Sequence, residues 1–316
     1  MLDAKGKELS FTTKPTIPLP LAPQVPVEKL KAELSLLPDD ASLAEAGDLV
    51  AYCCEARQIP DILWQIGILR ELTFRAAEEG TGQPLDLDDF DATYDHIFVW
   101  DRVAEQIVGG YRLGRIDQIL RCQGKEGLYT ATLFDIDDSV LEALNPALEL
   151  GRSFVVPDYQ RSFAMPLLWR GIGAYLNRRP WYRRLMGAVS IDREYSDQSV
   201  AMMCRYFSER HGADPAWVAG VKPKLPFDWK AFELPAEGPK TLGELNAEVS
   251  LQSGGRVMPT LLKHYAMLEA EFFGFNVDPD FSDVIDGLIC VDLLKAPQRK
   301  LARFMGPVVV EALRAA

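Results

Sequence analysis

Histidine is scarce in this chain, with three residues in 316. That is too few to expect a multi-histidine metal site, so no metal is expected. The five cysteines show no metal spacing, and Cys53 and Cys54 are adjacent. Such a set reads as reduced thiols of a cytoplasmic protein, not as a disulfide framework. Long apolar runs are also missing. Ile66 to Leu69 and Pro307 to Val310 are among the longest, far short of the ~20 residues of a spanning helix. The opening MLDAKGKELS has no apolar segment, so no secretory leader is expected. An excess of positive charge is absent too. A net charge of −12 argues against nucleic-acid binding and against adhesion of the whole surface to anionic lipid.

What remains is an ordinary globular composition, 48% hydrophobic and 25% charged, long enough for one large domain with an elaboration. Pro15, Pro18, Pro20, Pro23 and Pro26 mark residues 1–41 as a proline-rich arm without helical period. From about Ser42 the pattern turns helical. After Pro60, the spacing of Ile62, Leu63, Ile66, Leu69 and Leu72 predicts a helix with one apolar face. An acidic loop follows, with Asp86, Asp88, Asp89, Asp91 and Asp95. His96–Asp101 and Gln106–Leu113 predict an antiparallel strand pair, and residues 114–146 read as an insertion. Further elements are expected at Phe163–Leu176 (helix), Leu185–Ile191 (strand) and Ser199–Phe207 (helix). Beyond Gly212 the prolines multiply. A last unit is expected, with helix Thr260–Phe273, a turn at Asn276–Phe281, strand Gly287–Leu293 and a basic terminal helix. The order implies an α/β chain of the α+β kind, a mixed sheet with helices on its faces. The expected organisation is an arm over 1–41, a core over 42–211 and a C-terminal extension over 212–316.

The strand Leu148-Glu149-Leu150-Gly151-Arg152-Ser153-Phe154 carries the strongest chemical signal. It sets a carboxylate and a guanidinium within an apolar run, where unpaired charges are costly. In a regular strand Glu149 and Arg152 point to opposite faces. A bulge at Gly151 would bring both to one face and leave a backbone N–H beside them. A carboxylate there suits general-base work and an N–H suits an oxyanion. An internal structural ion pair is the plain alternative.

These residues, with Leu69-Arg70-Glu71-Leu72-Thr73-Phe74-Arg75, Ile107-Val108-Gly109-Gly110-Tyr111-Arg112-Leu113 and Pro157-Asp158-Tyr159-Gln160-Arg161-Ser162, resemble the GNAT acyltransferase superfamily. More closely they resemble the hemolysin-type N-acyltransferases related to bacterial ornithine-lipid synthesis, and more distantly the acyl-homoserine-lactone synthases. The resemblance implies a GNAT-like core with a C-terminal elaboration. It also implies transfer of a (3-hydroxy)fatty acyl chain from acyl carrier protein to the α-amine of ornithine or a similar amino acid, giving a lyso-aminolipid. No cofactor beyond the acyl thioester is expected, with acyl-CoA as the alternative donor. Glu149, Gly151 and Arg152 become the expected catalytic residues, and Arg112, Ser153, Arg161 and Ser162 the donor- or acceptor-binding ones. GNAT enzymes that bind CoA cradle its pyrophosphate with a glycine-containing loop at a helix N-terminus. The equivalent Arg161-Ser162-Phe163-Ala164-Met165-Pro166 has no glycine, which favours a carrier-protein donor. Arg178, Arg179, Arg183 and Arg184 would then dock that acidic partner, and the enzyme would be cytoplasmic, peripheral to the inner membrane.

Other signals carry less. His96 and Asp101 have an odd separation on one strand, so they face apart and cannot form a relay. The acidic loop reads as a solvated turn, or else as a receptor for a basic side chain. Two alternative functions stay open: acylation of a lysophospholipid hydroxyl, and non-catalytic binding of lipid or carrier protein.

Overall fold

A computed structural model describes residues 17–315. In chain order its main elements are α1 (Val27–Ser35), β1 (Ser42–Ala46), β2 (Leu49–Glu55), α2 (Pro60–Ala76), β3 (Asp95–Asp101) and β4 (Gln106–Arg115). Next come α3 (Ile116–Gln123), α4 (Thr130–Leu133), β5 (Phe134–Ile136), α5 (Asp138–Leu144), β6 (Ala147–Val155), α6 (Ala164–Arg178), β7 (Arg184–Ile191) and α7 (Asp197–Arg210). The last are α8 (Pro215–Val218), β8 (Val221–Pro223), α9 (Leu242–Gln252), α10 (Thr260–Met267), β9 (Glu271–Asp278), β10 (Val284–Asp292), α11 (Gln298–Met305) and α12 (Pro307–Ala315). The class is mixed α/β, as expected.

Two compact units are distinguished. The first holds residues up to Arg115, Glu149–Trp181 and Leu301 onward; the second holds Ile116–Leu148 and Tyr182–Lys300. In the first unit β1, β2, β3 and β4 form an antiparallel series, with β6 beside β4. Helix α6 covers one face: the Cβ that Gly171 lacks would lie 3.4 Å from both Ala51 and Ile97. Trp169 of the same helix meets the Tyr111 ring edge-on at 6.4 Å. Side chains alternate along a strand, so His96 and Arg112, a register pair on β3 and β4, occupy the other face. That face carries the polar site.

Helix α2 supplies its floor. Pro60 opens it at a position that needs no N–H, and Ile59 offers no side-chain cap. Glu33 of α1 substitutes: its two carboxylate oxygens accept from the N–H groups of Asp61 and Ile62, both at 2.8 Å. At the other end Glu71, fully buried, accepts from Arg75, from the Thr81 N–H and hydroxyl, and from the Gly82 N–H. This latch folds the following loop back along α2, where the Asp86 N–H reaches the Gly67 carbonyl at 2.9 Å. Gly67 is required there, since a Cβ would lie 2.6 Å from Leu87.

In the second unit β10 lies between β7 and β9, antiparallel to both, and β5 pairs with β8. Phe207 of α7 stacks on Phe272 of β9 at 4.5 Å between centroids. Ser196 caps α7 by accepting the Ser199 N–H.

Several expectations change. Residues 42–55 form the β1–β2 hairpin, not a helix. The arm expectation falls partly on residues 1–16, outside the described residues. From Ile17 the chain is non-helical up to α1, and the Leu19 and Ala22 N–H groups donate to the Gly82 and Pro84 carbonyls. Thr260–Phe273 is not one helix: α10 ends at Met267 and Glu271 begins a strand that runs through Asn276 to Asp278.

Candidate active site

The acidic loop is neither solvated nor vacant. Arg70 of α2 bonds Asp86 at 2.9 Å and Asp91 at 2.7 Å. Asp91 is shared with Arg112 of β4 at 3.4 Å, and Arg112 also bonds Asp88. Arg152 of β6 then bridges Asp88 and Asp86, at 3.3 Å each. The result is a closed ring in which three arginines alternate with three aspartates, each touching two of the opposite kind. Its formal charge is zero, which is how six ionised groups can be tolerated in a largely buried place.

Backbone geometry holds the ring's acidic half. Asp88 and Asp91 cap the same short turn reciprocally: the Asp91 N–H donates to Asp88 at 3.2 Å and the Asp88 N–H to Asp91 at 2.9 Å. Burial by itself pushes the carboxyls of Asp86 and Asp91 upward. Arg152 and Arg70 beside Asp86, and Arg70 and Arg112 beside Asp91, outweigh it and hold both below the usual carboxylate range. Burial would also lower the Arg112 pKa, but Asp88 and Asp91 raise it above the ordinary arginine value. His96 goes the other way. Burial, opposed by Asp91, depresses its pKa, and Nε2 lies 2.8 Å from the Asp91 carbonyl. A neutral imidazole donating through Nε2 fits that contact.

Glu149 stands beside the ring at 1% exposure. Its Oε2 accepts the Tyr94 hydroxyl, and the Arg112 guanidinium lies over the Tyr94 ring at 5.1 Å and the Phe90 ring at 5.6 Å. Glu149 and Arg152 therefore serve one polar site, as a strand irregularity would require. The irregularity is at Arg152, whose φ is +51°, and not at Gly151. Residues 151–153 are half-exposed between buried neighbours. A Cβ built on Gly151 would meet nothing within 4 Å, and the Ser153 hydroxyl is buried without a hydrogen-bond partner. β6 is thus irregular at its middle, with open space beside Gly151, next to a buried carboxylate. Chemically, such a place can take a proton from an ammonium and offer backbone N–H groups to an anion.

The other expected residues are placed differently. Arg112, expected to bind donor or acceptor, and Arg152, expected to be catalytic, are each shared by two aspartates. Arg161 is exposed, and the Ser162 hydroxyl accepts the Ala164 N–H at 3.0 Å at the start of α6. Arg178 donates to the carbonyls of Asp40 and Ser42, and Arg179 lies over the Tyr175 ring at 4.2 Å. Arg184 reaches the Ala143 and Leu144 carbonyls at 3.2 Å, while Arg183 is half-buried. Arg178, Arg179 and Arg184 thus each have a contact within the fold. His96 and Asp101 contact different groups, Asp101 accepting from Tyr159 and from the Val103 and Ala104 N–H groups.

Arg70 and Tyr94 were not among the sequence candidates. Arg70 left a signal, because it sits four residues after Ile66 on the apolar face of α2, where a buried arginine demands buried acids. Tyr94 left none.

The acetyltransferase (GNAT) domain family matches residues 69–170, the span from the end of α2 into α6. A glycine N(alpha)-acyltransferase of Phocaeicola vulgatus is 32% identical over 266 residues, covering 80% of this chain and 76% of that protein. A glycine N(alpha)-acyltransferase of Bacteroides thetaiotaomicron is 32% identical over 86% of each chain. An L-ornithine N(alpha)-acyltransferase of Agrobacterium fabrum is 30% identical over 75% of this chain and 78% of that one. No solved structure matches. Among the described residues no helix is long and apolar enough to cross a membrane.

Proposed function

The chain belongs to the GNAT-domain family of N(alpha)-acyltransferases, and we propose that this enzyme moves a fatty acyl chain from acyl carrier protein to the α-amine of glycine or ornithine. The observation that carries the reading is Glu149: a buried carboxylate on an irregular strand, beside a charge-neutral ring. An α-ammonium must lose a proton before it attacks a thioester. Glu149 takes that proton. The amine then forms a C–N bond to the acyl carbon, the C–S bond breaks, and the thiol leaves carrying a proton. A backbone N–H of the 151–153 segment faces the oxyanion of the tetrahedral intermediate.

The start of α6 supports a carrier-protein donor. A helix N-terminus binds phosphate through its first N–H groups. Here the Ala164 N–H is taken by Ser162, and Pro166, within the first turn, has none to give. Little is left for a pyrophosphate. A 3-hydroxyacyl donor and a lyso-aminolipid product are part of the same proposal, as is work in the cytoplasm at the inner membrane surface that would receive a lipid.

The test is mass spectrometry of products from purified enzyme, 3-hydroxyacyl carrier protein or acyl-CoA, and glycine or ornithine. An N-acyl amino acid from the carrier-protein donor is expected, reduced about 10²–10⁴-fold in Glu149→Gln. Product from acyl-CoA alone would overturn the donor assignment, and full activity of Glu149→Gln would overturn the base.

A further inference from the structure

Tyr94 stands between the two charged parts of the site. It ends the loop that carries Asp86, Asp88 and Asp91 and immediately precedes β3. Its backbone is pinned, with its N–H donating to the Phe90 carbonyl at 3.1 Å. Its side chain is equally constrained: 2% exposed, edge-on to the Phe90 ring at 6.3 Å and under the Arg112 guanidinium. A buried phenol needs a hydrogen-bond partner, and this one donates to Glu149 Oε2 and not to a backbone carbonyl.

We propose that Tyr94 is the positioning residue for Glu149, holding its carboxylate in one rotamer through the hydrogen bond to Oε2. The inference rests on the reading of Glu149 as the base. The chemistry follows from the contacts. A carboxylate has acceptor capacity on both oxygens, and the phenol uses part of it on Oε2. A cation over the ring withdraws electron density and makes the O–H a stronger donor. The ring of arginines and aspartates thereby acts on the reaction at second hand. It fixes Arg112, Arg112 seats the Tyr94 ring, and Tyr94 aims Glu149.

The experiment is the separate measurement of kcat and of KM for the amino acid in parent and variants. Tyr94→Phe keeps the ring beneath Arg112 and removes only the hydroxyl. kcat should fall about 10-fold or more as the base loses its aim, with KM for the amino acid little changed. Site-specific 4-fluorophenylalanine at position 94, which fills the place of the hydroxyl without a donor, should lower kcat likewise. That second variant serves if Tyr94→Phe folds poorly, and melting curves accompany both. A parental kcat in both variants, alongside inactive Glu149→Gln, overturns the role of Tyr94 while leaving the base intact. An active Glu149→Gln instead overturns the reading on which the inference rests.

Discussion

Arg70→Met tests the ion-pair ring where it is deepest. Methionine keeps an unbranched apolar stem and removes the guanidinium. Arg70 is 1% exposed, and its partners Asp86 and Asp91 are 3% and 0% exposed. Removing one member of a buried pair costs about 3–5 kcal/mol, because the remaining charge stays desolvated. Both aspartates keep a second arginine here, Arg152 at 3.3 Å and Arg112 at 3.4 Å. The expected loss is therefore at the low end, about 3 kcal/mol. At roughly 2–3 °C per kcal/mol for a chain of this size, the melting midpoint should fall by about 6–9 °C. Arg102→Met is the control. Its pair with Glu45 is as short, 2.7 Å, but the side chains are 47% and 53% exposed, so the change should stay below about 1 kcal/mol. Scanning calorimetry of parent and both variants at pH 7 reads the difference. Equal falls in the two variants, or an Arg70→Met midpoint within about 2 °C of the parent, would refute the claim that burial gives the ring its energetic weight.

Two further outcomes are expected. The depressed carboxyls of Asp86 and Asp91 contribute stability above the unfolded carboxylate value of about 3.9 and lose it as pH falls through their lower folded values. The stability gap between parent and Arg70→Met, read from urea midpoints, should thus narrow below about pH 4; a gap that widens there would contradict the assignment. Gly151→Ala should leave the melting midpoint within about 1 °C, since its Cβ meets nothing, yet lower acyl transfer about 10-fold or more by filling space beside Glu149. Gly109→Ala, whose Cβ would lie 2.8 Å from the Phe154 carbonyl oxygen, should instead destabilise by about 1–3 kcal/mol. Unchanged turnover in Gly151→Ala would mean that the open space beside Gly151 is not used by substrate.

Much of the fold was legible without coordinates. The strands around Phe98, Val108 and Val189 and the helices around Leu168 and Met203 follow from local period and β-branched or aromatic content, which act over a few residues. The hairpin at Ser42–Glu55 was misread, because Leu43-Ala44-Glu45-Ala46 is rich in helix formers and alternates weakly. Pairing of β2 with β3 outweighs that preference. The acidic loop was misread for a related reason. Nothing local shows that Asp86 and Asp91 meet an arginine 16 and 21 residues earlier in the chain.

The sequence by itself determined the class of fold and the family and singled out Glu149 as the candidate base, since these readings depend on residue types, their order and their spacing. Only the tertiary structure decided what the charges around Glu149 do. It placed Arg112 and Arg152 in a neutral ring and showed the strand irregularity at Arg152. It also brought Tyr94, 55 residues away in the chain, onto the carboxylate. Coulomb interactions and hydrogen bonds depend on distance in space and on burial, and neither is written in the order of residues.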